Sequence, residues 1–290
     1  MRQAFVDTMS RLIEQDPRTA LVLADISAAA FEPAALKHPD RVLNVGIREQ
    51  LMIGVAGGLA LTGLRPVAHS YATFLVDRAY EQIKLDLAHQ GVGAVLVSVG
   101  ASYDGSTAGY THMSPMDVQL IDTLPGWAVH VPGHPGEVAP LLEAATAHDD
   151  PVYLRLSTQA NDIAYADAHL LRPVRHGARA VVVAVGPMLA PVLAATRGLD
   201  VTVAYTHTPR PFDTAGLRAL AGSGNVALVE PYLAGTSAHV VGQALADRPH
   251  RLLSLGVARK DLHAFGTPAD HAHWHALDPA GIRAALTAWL

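Results

Sequence analysis

Glu49 is a residue whose type and position could do chemistry. It lies in the run NVGIREQ, where an apolar strand over 41–45 is expected to end and a helix over 50–62 to begin. Open parallel sheets bind ligands beyond the carboxyl ends of their strands, and a carboxyl held there can act as a general acid or base. A first-turn acid that only complements the helix dipole is the commoner use of such a position. The position alone therefore does not assign Glu49 a role.

Two further strand ends carry candidate residues. Tyr71 and Phe74 follow a strand expected over 65–69, and their spacing could form a stacking wall for a planar ring, although ordinary core packing explains it more often. His112 lies near the end of a loop over 100–115 that is rich in Gly, Ser and Thr. Loops of this length inside α/β domains are usually functional or mobile. A single histidine among the 16 of this chain carries little weight by itself.

Short apolar runs that alternate with longer amphipathic stretches must position these residues. The runs are nearly continuous in Val, Leu and Ile, which is typical of parallel strands buried on both faces. This order indicates βαβ units and a mainly parallel sheet. Strands are predicted over 20–24, 41–45, 65–69, 94–99, 127–131 and 152–156. Helices are predicted over 4–15, 49–62, 76–89 and 135–148.

The rhythm breaks over 161–177, which is predicted to be a linker. Beyond it the alternation resumes, with a smaller second unit. The sequence thus predicts an α/β chain of two domains, 1–160 and 178–290, each a largely parallel sheet flanked by helices. Strands of the second domain are predicted over 180–185, 201–205, 226–229 and 251–255, and a final helix over 279–290.

Composition excludes several classes of protein. The chain has 290 residues, of which 50% are hydrophobic and 16% charged, so disorder is not expected. The net charge of -5 and the lack of a Lys/Arg cluster argue against nucleic-acid binding. The chain has no cysteine, which excludes disulfides and thiolate chemistry. Neither a signal-peptide core nor an unbroken membrane-length apolar run is present, so we expect a soluble, cytoplasmic protein that is not bound to a membrane.

Four segments in order resemble the transketolase family of thiamine-diphosphate enzymes. GIREQ is similar to the G-[IV]-R-E motif of transketolases, and YATFLVDRAYEQI to a stretch of 1-deoxyxylulose-5-phosphate synthases. GYTHMSPMDVQLIDTLPGWAVHVPGHPGEV resembles the transketolase G-x-T-H loop with its next strand and helix, and ALDPAGIRAAL the end of the C-terminal domain. The resemblance spans essentially the whole chain. It implies a pyrimidine-binding domain followed by a transketolase C-terminal-like domain.

The resemblance also implies how this chain would contact thiamine diphosphate. In the family a glutamate hydrogen-bonds the pyrimidine ring nitrogen and favours the tautomer that removes the thiazolium C2 proton; Glu49 matches that position. Tyr71 and Phe74 match aromatic residues that stack on the pyrimidine. Arg78, in the same segment, is assigned to cofactor binding with them.

Four residues are assigned to substrate on the same basis. His112 matches the family's G-x-T-H histidine, which contacts oxygens of the donor, and it joins Glu49 as a catalytic candidate. Arg2 lies near a position where the family carries a phosphate-contacting arginine. Ser27 is expected to line the substrate channel, and Arg155 to supply a second positive charge.

The Mg²⁺-diphosphate motif of the family, G-D-G followed by Asn, has no counterpart in this chain. Asp104-Gly105 lacks the preceding glycine and a suitable asparagine downstream. Mg²⁺ takes oxygen ligands, and phosphates supply part of its shell, so we expect no metal ligand here. The ligands are expected on a partner chain, the N-terminal subunit with the diphosphate-binding domain. The alternative is that this sequence is a fragment.

Three departures from the family pattern concern phosphate recognition. Ala108 replaces the usual Asp of D-G-x-T-H, and Gly100 stands where a histidine is common. The LSRQ that often comes after the sixth strand reads LSTQ here, which removes an arginine. Because arginine binds phosphate with a two-pronged fork, its loss weakens such a site. A phosphorylated acceptor is therefore not expected.

The sequence favours the C-terminal subunit of a split transketolase, which moves a two-carbon ketol unit between small sugars. We expect an α₂β₂ complex in which this chain dimerises through the small-residue helix over 50–62. Two alternatives stay open: the beta subunit of a 2-oxo acid dehydrogenase or acetoin-cleaving complex, and a non-catalytic interaction subunit. A serine hydrolase lacks its G-x-S-x-G motif here. The alternating His271, His273 and His275 have no accompanying carboxylate or cysteine and receive no role.

Overall fold

Short apolar strands build the first sheet of a computed structural model that describes residues 1–165 and 167–290. Its six strands pair in parallel in the order β2-β1-β3-β4-β6-β5. Helices cover both faces, which is why these strands are apolar almost throughout. The strands are β1 Thr19–Leu23, β2 Val42–Asn44, β3 Arg65–Tyr71, β4 Val95–Val99, β5 Ala128–His130 and β6 Val152–Arg155.

A second sheet of five strands comes next, in the order β11-β10-β8-β9-β7. The pairs are parallel except β7 with β9, which is antiparallel. The predicted fold class, two largely parallel sheets flanked by helices, is confirmed. The strands are β7 Arg172–Arg175, β8 Val181–Val185, β9 Thr202–Thr206, β10 Asn225–Leu233 and β11 Arg251–Val257.

The segment 161–177 is not only a linker, because β7 lies within it. Pro173 has no backbone N–H to donate, and an edge strand tolerates that loss. The strand is short and half exposed, so it has none of the apolar continuity by which the other strands were predicted. Residue 166 of the predicted linker lies outside the described residues.

The helices follow the predicted alternation with one irregular stretch. The predicted helix over 76–89 is broken into two π-helical segments, Thr73–Asp77 and Ile83–His89, on either side of a short α-turn. A pattern matched to 3.6 residues per turn does not predict wider turns, which occur often at functional sites. The α-helices are α1 Arg2–Gln15, α2 Glu32–Lys37, α3 Glu49–Leu61, α4 Tyr80–Gln82, α5 Asp117–Ile121, α6 Val138–Thr146, α7 Leu189–Ala195, α8 Thr214–Leu220, α9 Ala238–Ala244, α10 Pro268–Trp274 and α11 Pro279–Trp289.

In the described ranges, every helix is too short or too polar to cross a membrane. The two sheets share a core instead. Met52 and Leu75 of the first domain belong to the same cluster of buried side chains as Leu228 and Tyr232 of the second. The second domain also covers the open edge of the first sheet, since the Val129 amide donates to the Arg210 carbonyl at 2.9 Å. The domains are therefore fixed against each other.

Small residues of α3 let another segment of the same chain approach closely. A Cβ added at Gly57 would lie 2.5 Å from the Asp86 carbonyl oxygen, in the π-helical segment Ile83–His89. The close approach expected for a dimer contact is thus used inside the chain at this residue. The solvent side of α3 and the residues before it nevertheless bear an apolar stripe, with Ile47, Leu51 and Leu61 exposed by 72%, 47% and 59%.

Two glycines of α3 give a matched test of this packing. Gly57→Ala should lower the free energy of unfolding by about 2 kcal/mol, because the added methyl overlaps backbone that cannot move freely. At Gly58 no atom of the described residues lies within 4 Å of an added Cβ, so Gly58→Ala should raise stability by about 0.5–1 kcal/mol through helix propensity. Denaturant titration of both variants measures the difference. Equal effects would mean that the contact with Asp86 is not tight.

Candidate functional site

The carboxyl ends of β1 to β4 lie at one edge of the first sheet, because these strands are parallel. Four of the residues selected from the sequence lie at or just beyond those ends. Ser27 comes after β1, Glu49 after β2, Tyr71 at the end of β3, and His112 in the loop after β4. The predicted residues are thus positioned by four neighbouring strands of one sheet.

Glu49 begins α3 with its side chain buried to 1% exposure. One carboxylate oxygen, Oε2, accepts a hydrogen bond from Arg78 Nη1 at 2.8 Å. The other, Oε1, is buried and has no hydrogen-bond partner among the described residues. Leaving a buried carboxylate oxygen unpaired is unfavourable, so this atom is a ready acceptor for a donor brought by a ligand.

Tyr71, Phe74 and His112 form what we call the aromatic corner. Their ring centroids are 5.9 Å apart for Tyr71 and Phe74, 5.8 Å for Tyr71 and His112, and 5.2 Å for Phe74 and His112, all edge to face. The Arg78 guanidinium lies 4.2 Å from the centroid of Phe74 and so joins Glu49 to the corner. Five residues selected for cofactor and donor are therefore brought together.

Gly100 is required by the aromatic corner. Its φ of +70° favours glycine, and a Cβ there would overlap the Tyr71 ring. The absence of a histidine at this position, noted as a departure from the family pattern, thus has a steric counterpart. Any side chain at position 100 would displace the ring that the corner is built on.

The loop over 100–115 is closed by a β-bridge between Ser102 and Ser114. The Ser114 hydroxyl donates to Asp77 Oδ1 at 2.8 Å, which ties the loop to the segment that carries Phe74 and Arg78. Burial, with the nearby charge of Asp117, raises the pKa of Asp77 to about 7; the Ser114 bond and Arg155 oppose the rise. Within the loop, Thr111 Oγ1 lies 3.0 Å from His112 Nδ1.

His69 is a buried residue of the site that sequence reasoning missed. Its Nδ1 donates to the Val97 carbonyl at 2.8 Å, which leaves Nε2 to accept from the Ser27 hydroxyl at 2.9 Å. Burial lowers the pKa of His69 to about 4, so the ring is neutral and can accept. Ser27 in turn accepts from Arg2 Nε at 3.0 Å. The signal in the sequence was a histidine inside an apolar strand.

Arg155 does not fit the substrate role assigned to it. Its guanidinium is 1% exposed and donates to Asp117 at 2.7 Å and to the Ser102 hydroxyl at 2.7 Å. The Ser102 hydroxyl in turn donates to the carbonyl of Pro231 in the second domain. With these partners Arg155 is a buried link between β6, the loop and the second domain, and its donors are not offered to a substrate.

The three alternating histidines lie on and just after helix α10 instead of a strand. His273 is exposed and pairs with Asp278 at 2.9 Å. His271 is buried, and its Nε2 hydrogen-bonds the Phe265 carbonyl. Across residues 1–165 and 167–290, no three His, Asp or Glu side chains are grouped as metal ligands would be.

Comparison with known proteins identifies relatives of this chain. A family model described as the pyrimidine binding domain of transketolase matches residues 1–162. A protein of Rhodococcoides fascians, described as an uncharacterised 33.6 kDa protein in the fasciation locus, is 54% identical over 296 residues, which cover 100% of this chain and 95% of that protein. The 6-deoxy-6-sulfo-D-fructose transketolase subunit SqwH of Clostridium sp. (strain MSTE9) is 31% identical over 245 residues, 79% of this chain and 75% of that subunit.

Among solved structures, a split gene transketolase described as an inactive beta4 tetramer shares the fold. It superposes with a TM-score of 0.82 at 24% sequence identity, over 99% of this chain and 96% of that one. The likeness therefore covers both domains.

The raised pKa of Asp77 predicts how stability changes with pH. The folded chain keeps the Asp77 proton up to about pH 7, whereas the unfolded chain releases it near 4, so this group makes stability fall as pH rises between those values. Asp77→Asn retains an oxygen that accepts from Ser114 and removes the titration. The variant should therefore gain in thermal midpoint relative to the native chain from pH 5 to pH 7.

Glu81→Gln is the matched control, since Glu81 is an exposed carboxyl nearby on α4. Its midpoint should follow that of the native chain at every pH. Parallel profiles for Asp77→Asn and the native chain would show that Asp77 is already ionised in the fold at pH 5.

Proposed function

Because this chain belongs to the transketolase family, we propose that it is the pyrimidine-binding half of a split, thiamine-diphosphate-dependent transketolase. With a partner chain it would transfer a two-carbon ketol unit from a ketose to an aldehyde. The family membership confirms the resemblance found in the sequence. The observation that carries the proposed activity is the buried Glu49 carboxylate: one oxygen accepts from Arg78, and the other has no partner among residues 1–165 and 167–290.

The residues present fit the aminopyrimidine ring of thiamine diphosphate. A planar ring with ring nitrogens needs an apolar or aromatic contact and a hydrogen-bonding group at its edge. Phe74 and Tyr71 supply the first, and Glu49 Oε1 the second. When bound, the cofactor supplies the nucleophilic carbon that attacks the ketose carbonyl.

Each residue of the chain has a distinct task in this proposal. Glu49 holds a proton at the pyrimidine ring nitrogen through Oε1, while Arg78 fixes the carboxylate through Oε2. The Arg78 contact with Phe74 keeps that ring in place beside the carboxylate. His112 pairs with Thr111 through Nδ1, so its Nε2 is the nitrogen that meets hydroxyls of the ketose.

The diphosphate and Mg²⁺ would be held by the partner chain. Mg²⁺ binds carboxylate and phosphate oxygens, and G-D-G followed by Asn is missing from this sequence. The proposed partner is therefore a chain that carries the diphosphate-binding domain. The solved structure that shares this fold is described as split and, as a beta4 tetramer, inactive, which agrees with a chain that needs a second subunit.

Arg2 is a cation that an anionic group of the substrate could meet. Ser27 and His69 orient its guanidinium from the protein side, and Arg155 is occupied elsewhere. The clostridial relative is named for a sulfonated ketose, a sugar whose anionic group is not a phosphate. We propose that the substrate is a small sugar without a phosphate group, or one that carries a different anionic group within reach of Arg2.

Glu49→Gln tests the assignment without knowledge of the natural substrate. In the complex reconstituted with the diphosphate-domain partner, deuterium exchange at C2 of thiamine diphosphate should slow by at least about 10²-fold, because general acid–base help of this kind is lost. Exchange is followed by NMR after rapid mixing and acid quench. Ketol transfer from D-fructose to an aldehyde, where the complex catalyses it, should be lost in parallel.

Glu32→Gln is the matched control, because Glu32 is likewise a first-turn acid, on the exposed helix α2. It should leave the exchange unchanged. If Glu49→Gln only lowered the thermal midpoint and exchanged at the native rate, Glu49 would be a helix-dipole residue and the catalytic assignment would fail.

Self-association through the apolar stripe on α3 is a separate prediction. A charge in a close helix contact is destabilising, so Leu61→Glu should lower the mass of the assembled chain measured by light scattering. Leu36→Glu changes an exposed leucine of α2 and should leave the mass unchanged. Leu61→Glu should also fail to assemble into a heterotetramer with the partner chain, whereas Leu36→Glu should assemble. Full assembly of Leu61→Glu would place the interface elsewhere.

A further inference from the structure

The second domain reaches the loop over 100–115 through Tyr103. This side chain is buried among residues of the second domain's core. Its ring stacks on two histidines that the proposed function leaves without a role. The centroids are 5.6 Å apart for Tyr103 and His271, with 16° between planes, and 6.0 Å for Tyr103 and His275, with 15°. The loop is thus docked on helix α10 by ring stacking.

His271 also holds the segment around Phe265, which packs against the loop over 100–115. Because the Phe265 carbonyl can only accept, His271 Nε2 carries the proton and donates to it at 2.6 Å. The Phe265 ring lies so close to Gly109 that an added Cβ would be 2.8 Å from Cε1. Beside it, the Ser106 hydroxyl donates to the Gly266 carbonyl at 3.0 Å. The loop is therefore held on two sides by groups that meet at His271.

His275 supports the same arrangement. Its Nδ1 accepts from the Ala258 amide at 3.2 Å, where the segment 258–267 leaves β11. Burial, with the neighbouring His271, lowers the pKa of His275 to about 4. The ring is thus neutral at physiological pH and keeps its acceptor.

The contacts lead directly to His112. Gly109 has a φ of +91° and begins the short turn Tyr110–His112, whose last residue completes the aromatic corner. A shift of Phe265 or of the Tyr103 ring moves the start of that turn. We propose that His271 is a positioning residue: the second domain sets the depth of His112 in the site through His271, Phe265 and Tyr103. The kinetic consequence rests on the proposed function, whereas the structural one does not.

Two properties of His271 are separable by substitution. Phenylalanine keeps a ring that stacks on Tyr103 but has no donor for the Phe265 carbonyl, whereas glutamine places an amide donor near the position of Nε2 without the ring. Alanine removes both. His273, two residues along the same helix and exposed, provides the matched control.

Hydrogen exchange of the complete chain, read by mass spectrometry, tests the structural part. Peptides over 104–113 should exchange about tenfold faster in His271→Ala, and by a smaller factor in His271→Phe and His271→Gln, because each retains one contact. His273→Ala should match the native chain. Native protection of these peptides in His271→Ala, together with a lower thermal midpoint, would show that His271 only packs the second domain and would overturn the proposal.

Phe265→Ala guards against a His271 variant that does not fold. Its ring is mostly exposed, so its removal should leave the fold intact and yet speed exchange over the same peptides. Unchanged exchange in this variant would also contradict the proposal.

Kinetics of the reconstituted complex test the link to the site. His271→Ala should lower kcat/KM for the ketose donor about tenfold, while C2 exchange of the cofactor stays at the native rate, because Glu49 is untouched. An equal loss in both reactions would mean a general collapse of the site and would refute a specific effect on His112. If the complex transfers no ketol unit at all, the proposed function fails. Hydrogen exchange of the protein, measured by mass spectrometry, still decides whether His271 positions the loop.

Discussion

The Glu49–Arg78 pair is the interaction on which the candidate site depends. Removing a carboxylate from water is unfavourable by several kcal/mol, and the loss is offset only where the charge is paired and hydrogen-bonded. Arg78 does this from the rim, with its guanidinium on Glu49 Oε2 and over the Phe74 ring. Arg78 thereby joins two elements that are distant in sequence. These are the start of α3 and the π-helical segment Thr73–Asp77, which carries Phe74. The pair leaves one oxygen of the carboxylate available.

The second domain completes this arrangement from outside the first sheet. It covers the edge strand β5, shares a core with α3, and receives the loop after β4 through Tyr103 and Ser102. The loop has little regular structure of its own, so its shape is set by what it touches on both domains. A side chain at the end of such a loop is only as well placed as its supports, so the proposed role of His112 ties the second domain to the same site as Glu49.

The sequence predicted those parts of the molecule in which local pattern and burial agree. The central strands are apolar on both faces, and Glu49 with its aromatic neighbours was located by motif and by position at strand ends. The π-helical stretch was predicted as a plain helix, because widened turns leave no mark in a 3.6-residue period. Strand β7 is too polar and too short to show a period. His69 was missed because its partners, Ser27 and Val97, are distant in sequence and meet only in the folded sheet.

Arg155 and Glu49, at the same edge of a sheet, differ in whether their polar atoms already have partners. Both are charged, buried and placed at or beyond the end of a strand, so residue type and position do not distinguish them. Arg155 has Asp117 and the Ser102 hydroxyl as partners, and any substrate would have to displace a bond that already exists. Glu49 retains a desolvated oxygen that has no partner in the part of the chain the structure describes, so a ligand that donates there gains a hydrogen bond and breaks none. Hydrogen-bond saturation is a property of the folded chain, and it is the reason that the arginine was misassigned from the sequence.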